Sequence, residues 1–129
     1  MSQVGIAMPV TQKTAEAIDA YMSAERPYLD PNLSVGRLAE AVGLTPRELS
    51  RVISSSSSSS FYTFVNRFRV DEARRLLADP EEARTSVEAI GLMAGFRSRS
   101  TFYEAFKREV GVTPAQFRRE QAMSDTMSD

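Results

Sequence analysis

The chain has 129 residues, room for one compact domain or two very small subdomains sharing a core, and its 42% apolar fraction is enough to fill one. With no Cys and no His, disulfides, thiolate or imidazole metal sites and histidine-assisted nucleophiles are excluded, so catalysis would rest on carboxylates, hydroxyls or two lysines. The 16 basic and 17 acidic residues nearly cancel overall, but residues 34–120 hold 14 basic against 11 acidic side chains, and fourteen of the sixteen bases are arginine, whose planar fork suits guanine edges and phosphates.

No secretory signal and no apolar run of membrane-spanning length occurs, which suits a soluble, cytoplasmic chain. Residues 1–10 carry Gly5 and Pro9 without periodicity and are expected to be disordered. Thr11 to about Ala24 predicts a helix with Ala15, Ile18 and Met22 on one face and Tyr21 beside them, ended by Pro27 and Asp30-Pro31. Ser34 is placed to cap the next helix. Thr45-Pro46-Arg47-Glu48 supplies a capping hydroxyl, a first-turn proline and a glutamate three residues on, so another helix starts there.

Residues 61–77 carry apolar side chains at 61, 64, 65, 68, 70, 73, 76 and 77, which cover well over half of a helix circumference and predict a helix buried on more than one side. Asp79 to Arg84 is a polar connection. Ser86, rather than Thr85, is the expected cap of the following helix. Gly111 is placed to end a later one in a left-handed conformation, and Thr113-Pro114-Ala115-Gln116 restarts a helix from which Phe117 folds back on the core. The polar residues 124–129 are expected to form a disordered tail.

The chain repeats itself. Ser34-Val35, Leu38, Ala39, Val42, Gly43 and Leu44 recur 52 residues later as Ser86-Val87, Ile90, Gly91, Ala94, Gly95 and Phe96, and at an offset of 53 Leu49 and Ile53 match Phe102 and Phe106. Each copy reads as helix, glycine-centred turn and second helix with an apolar pair at i and i+4, the pattern of a helix-turn-helix. The fold class is therefore all-α: two helix-turn-helix subdomains (34–60 and 86–120) joined by a long central helix (61–77). That helix would span about 25 Å, which with its end packing approaches the roughly 34 Å between successive major grooves on one face of DNA.

Ser54 to Ser60 is a run of seven serines. The offset of 53 sets Ser57 opposite Val110, Ser58 opposite Gly111, Ser60 opposite Thr113 and Phe64 opposite Phe117, so an apolar anchor and a helix-ending glycine are expected there and are absent. Ser60 keeps a use as N-cap. The expectation is a mobile loop in which the serines stand in place of another segment.

The segments LSVGRLAEAVGLTPRELSRVI, FVNRFRVDEARRLL and SVEAIGLMAGFRSRSTFYEAFKREVGVTP resemble the DNA-binding domain of the AraC/XylS family of bacterial transcription regulators, over about 90 of the 129 residues. The resemblance implies an AraC-type double helix-turn-helix domain over 11–123, sequence-specific binding of double-stranded promoter DNA and regulation of transcription. It also implies an excised domain or an unusually short relative, because such domains usually follow a sensing or dimerising one. A membrane-tethered parent is a further implication, since some relatives with a similar connecting helix have membrane-embedded N-terminal halves. Relatives carry Leu-Gly where the serines stand and often arginine where this chain has Glu104.

In a helix-turn-helix, helix-start amides face phosphates and the first turns of the second helix reach base edges. Base-contact candidates are Arg47, Ser50 and Arg51 in the first copy and Arg99, Ser100, Tyr103 and Glu104 in the second. Phosphate-contact candidates are Thr45, Pro46, Ser98, Thr101 and Lys107. Glu104 could accept from cytosine N4 or orient Arg99 or Arg108. Leu38, Val42, Leu44, Leu49, Ile53, Phe64, Phe68, Ile90, Phe96, Phe102, Phe106 and Phe117 are the expected core. Promoter DNA is the expected partner, with RNA polymerase a further candidate and a monomer or weak dimer the expected state. No cofactor, metal site or enzymatic activity is expected. A helical protein-interaction module that has lost DNA binding is the alternative.

Overall fold

A computed structural model describes residues 10–57 and 59–128. Seven α-helices follow in order: α1 (Val10–Glu25), α2 (Val35–Val42), α3 (Pro46–Ser57), α4 (Phe61–Ala78), α5 (Val87–Met93), α6 (Arg99–Val110) and α7 (Pro114–Ser128), with short 3-10 turns at Pro27–Leu29 and Pro80–Glu82. Among the described residues there is no strand, and no helix is long and apolar enough to cross a membrane. The fold class is the all-α double helix-turn-helix expected.

The chain divides into two compact units. The N-terminal unit comprises residues up to Pro27 together with Leu33–Val65, and the C-terminal unit comprises Tyr28–Asn32 together with residues from Asn66 onward. The repeat analysis does not anticipate this division. It left α1 outside the first copy and gave Tyr28–Asn32 only a connecting role.

In the N-terminal unit, α1 and α2 both pack on α3. Ile18 and Met22 of α1, Leu38 and Ala39 of α2, Leu49, Val52 and Ile53 of α3, and Phe64 and Val65 of α4 are each buried. The apolar residues recur three and four apart, so each helix turns one stripe inward. Ser34 caps α2 by accepting from the Arg37 amide at 3.1 Å, and Gly43 ends it at φ +78°. Val42 and Leu44, expected in the core, are only half-buried.

The C-terminal unit has a larger core, in which Val70, Ala73, Leu76 and Leu77 of α4 meet Ile90, Ala94, Phe96, Phe102, Ala105 and Phe106. A chain of aromatic contacts runs from Phe96 to Phe102 to Phe106 to Phe117, with ring centroids 5.1, 5.8 and 5.6 Å apart. Phe117, half-buried, folds back as expected. Phe68 is also only half-buried and stacks on Tyr28 at 5.5 Å.

Tyr28–Asn32 is held in this unit by two arginines. Arg69, buried on α4, donates from Nε to the Tyr28 carbonyl (2.8 Å) and from Nη2 to the Asp30 carbonyl (3.0 Å), and its burial lowers the guanidinium pKa. Arg97 donates to the Pro31 carbonyl and to Asn32 Oδ1. Gly95, at φ +102°, lies so close to the Tyr28 carbonyl that a Cβ would overlap it. Its counterpart Gly43 has open space where a Cβ would go, so the close approach belongs to the second copy alone.

Two local expectations are corrected. The serine run is not a loop throughout: α3 continues through Ser57, and Ser56 donates to the Val52 carbonyl at 2.8 Å. Serine is a mediocre helix former, not a breaker, and the helix is already anchored by Leu49, Val52 and Ile53. Ser58 lies outside the described residues, Ser59 is buried, and Ser60 caps α4 by accepting from the Thr63 amide. The assignment of 124–129 to a disordered tail is likewise replaced by helix to Ser128, since no Gly or Pro interrupts α7 after Pro114. Asp129 lies outside the described residues, as do residues 1–9 of the expected N-terminal segment, whose tenth residue, Val10, opens α1.

Ser86 caps α5 by accepting from Ala89 at 3.0 Å, while Thr85 donates to Glu82, as the repeat register requires. Where α5 meets α6, Gly91 leaves space filled by the Phe102 ring, which an added Cβ would overlap. The matching positions in the first copy are Ala39 and Leu49, both fully buried. A larger residue on one helix goes with a smaller one on the other.

Gly91→Ala should therefore destabilise the protein by about 1–3 kcal/mol, and adding Phe102→Leu should recover part of the loss. Denaturant titration of the two single variants and the double variant would give a coupling of at least about 0.5 kcal/mol, whereas strict additivity would contradict this packing. Ser54→Ala and Ser55→Ala, both exposed on α3, should each raise stability by a few tenths of a kcal/mol, roughly the helix-propensity difference.

Candidate nucleic-acid interface

Both second helices begin on a reciprocal cap. Thr45 Oγ1 accepts from the Glu48 amide at 3.1 Å while Glu48 Oε1 accepts from the Thr45 amide at 2.9 Å. Ser98 Oγ accepts from the Thr101 amide at 3.2 Å and Thr101 Oγ1 from the Ser98 amide at 3.3 Å. The hydroxyls of Thr45, Ser98 and Thr101, nominated for phosphates, are thus already engaged in building the helix starts. What each start presents outward is its first-turn amides and the positive end of the helix dipole.

On α3, Pro46, Arg47, Ser50 and Arg51 are exposed while Leu49, Val52 and Ile53 are buried. On α6, Arg99, Ser100, Glu104 and Lys107 are exposed and Tyr103 is half-buried, while Phe102, Ala105 and Phe106 are buried. In each unit the base-contact candidates therefore share one side of the second helix, opposite the residues that anchor it. Rigid burial of one face holds the other in a fixed presentation.

The C-terminal unit adds a cluster that sequence reasoning missed. Glu88, on the first turn of α5, lies 3.2 Å from Arg99 Nε through Oε2, and the same oxygen accepts from the Tyr103 hydroxyl at 3.3 Å. Arg99 in turn lies over the Tyr103 ring, its Cζ 4.7 Å from the centroid. Glu88 is held below the usual carboxylate pKa, chiefly by its own backbone N–H, against an opposing desolvation, with Tyr103 and Arg99 adding to the lowering. Tyr103 and Glu88 raise the Arg99 pKa.

Among the described residues, the ion pairs of Arg99 and Arg108 do not involve Glu104. Arg99 takes Glu88, and Arg108 Nε lies 3.8 Å from Glu109. Arg97, beside the cap and also not nominated, is spent on Pro31 and Asn32. Neither contact could be read from local spacing, because each joins residues on separate elements; the repeat gives only the hint that Glu88 stands where the first copy has Gly36.

A family model described as a helix-turn-helix domain matches residues 38–120. A helix-turn-helix-type transcriptional regulator of Mycobacterium tuberculosis is 35% identical over 85 residues, 66% of this chain, and the chain spans 32% of that relative's length. Among solved structures, a transcriptional regulator of Chromobacterium violaceum described as containing an AraC-type DNA-binding domain superposes with a TM-score of 0.72 at 25% identity, covering 87% of this chain and 95% of that one. The DNA-binding domain of AdpA, a global transcriptional factor solved with a target DNA, gives 0.67 at 25% identity over 83% and 90% of the two chains. The chain belongs to the AraC-type helix-turn-helix family.

Ser98→Ala should remove one side of the α6 cap and lower unfolding free energy by about 1 kcal/mol. Thermal or denaturant melting would detect it, and an unchanged midpoint would show that the cap contributes nothing to the fold.

Proposed function

We propose that this chain is the DNA-binding part of a bacterial transcription regulator, and that α3 and α6 each enter the major groove of one part of a two-part site. The observation that carries this reading is the repeated arrangement itself: two capped second helices, each with its apolar face buried and its polar candidates, all exposed but the half-buried Tyr103, on the opposite side. The target DNA bound by the AdpA domain supports it. In this reading Arg47, Ser50, Arg51, Arg99, Ser100, Tyr103 and Glu104 face bases. The helix starts at Thr45-Pro46 and Ser98, with Thr101 and Lys107, face phosphates.

Promoter DNA is then the partner and RNA polymerase a second one reached on the promoter, with the chain acting as a monomer or weak dimer in the cytoplasm. The domain is taken to extend over 11–123. It acts by binding rather than by catalysis.

Affinity should fall steeply with salt, the slope of log K against log salt being about −0.9 for each phosphate neutralised. Arg99→Ala should cost about 1–3 kcal/mol on a selected site and relax one base position. Fluorescence titration against selected and random duplexes tests both. Equal binding to the two at low salt would overturn the reading, and salt-insensitive binding to a protein would favour the interaction-module alternative.

A further inference from the structure

We infer that Glu88 is a specificity-determining residue of the C-terminal recognition helix, holding Arg99 as a reader of one guanine and keeping it off the phosphates. This rests on the DNA-reading function proposed above. Two neighbours flank the guanidinium: its Nε lies 3.2 Å from Glu88 Oε2 in an ion pair, and its Cζ lies over the Tyr103 ring, 4.7 Å from the centroid. The Tyr103 hydroxyl closes the triangle on the same carboxylate oxygen at 3.3 Å. Neither contact uses the Nη1/Nη2 edge, two parallel donors matched to guanine O6 and N7.

The cluster contributes little to folding. The Arg99 and Glu88 side chains are 68% and 51% exposed, where ion pairs are worth little. The first copy builds the same helix pair with Gly36 in place of Glu88 and Pro46 in place of Arg99, so the architecture does not need the arrangement. Its effect lies in binding: a long side chain already confined to one geometry loses less freedom when it meets a base.

The carboxylate also biases the choice of ligand. An unrestrained arginine beside a duplex finds phosphate oxygens first, since they take most protein–DNA hydrogen bonds. A fixed negative charge beside the guanidinium repels a phosphate far more than it repels the neutral guanine edge. Glu88 thus trades general affinity for base preference, and its removal shifts the two in opposite directions.

The test is selection from a random double-stranded oligonucleotide pool by the wild-type chain, Glu88→Gln, Glu88→Ala and Arg99→Ala, followed by titration on the selected and random duplexes. The Glu88 variants should stay folded and melt within a few degrees of the wild type, the small loss being that of one acidic side chain at a helix start. At the position whose preference Arg99→Ala abolishes, Glu88→Gln should lower guanine preference about five- to tenfold and Glu88→Ala more, while both bind random duplex more tightly than the wild type. A base profile unchanged in both variants, or a parallel loss on selected and random DNA, would overturn the inference. If Arg99→Ala changes no position, the base-reading role of α6 fails instead, whatever Glu88 does.

Discussion

Burial of the Phe102 ring against the bare backbone of Gly91 is the constraint on which the C-terminal unit turns. It seats α6 against α5, and with one face of α6 committed to Phe102, Ala105 and Phe106, the exposed residues have no freedom to rotate inward. The first copy meets the same requirement with Ala39 and Leu49. Two different volume pairs thus satisfy one architecture, as close-packed interiors demand.

A second requirement acts on the turn. Gly95 permits the Tyr28 carbonyl to come close, and that carbonyl is one of the two to which Arg69 donates. A buried guanidinium is costly unless its donors are filled, and here backbone oxygens from a distant stretch of chain accept from Nε and Nη2 while Asn66 Oδ1 accepts from Nη1. Arg97 fastens the end of the same stretch from the outer side. The helix that carries the candidate reading residues therefore begins two residues after an arginine whose side chain is anchored to Pro31 and Asn32.

The helix starts at Thr45 with Glu48 and at Thr113 with Gln116 were legible because their chemistry is local, each pair lying within one turn. Ser98 and Thr101 cap α6 in the same way but were legible only as phosphate contacts. The repeat was legible too, and it settled a choice local rules leave open, Ser86 over Thr85. Contacts between separate elements were not. Glu88 reaches Arg99 and Tyr103 across a turn, and Arg69 reaches Tyr28 across 41 positions, so no spacing rule signals either. The serine run misled for the opposite reason: composition suggested a loop, but buried anchors on α3 outweighed the weak preference of serine.

The attachment of Tyr28–Asn32 to residues far downstream bears on how the chain can mature on the ribosome. These five residues emerge before the whole first helix-turn-helix, yet the arginines that donate to the Tyr28, Asp30 and Pro31 carbonyls, Arg69 and Arg97, are synthesised only after it. A fragment starting at Asn66 would have every helix from α5 to α7 and still lack the carbonyls its buried arginine needs. The C-terminal half is thus a non-contiguous folding module, completed by a strip of chain borrowed from upstream, and its assembly must wait for the closure of a long loop.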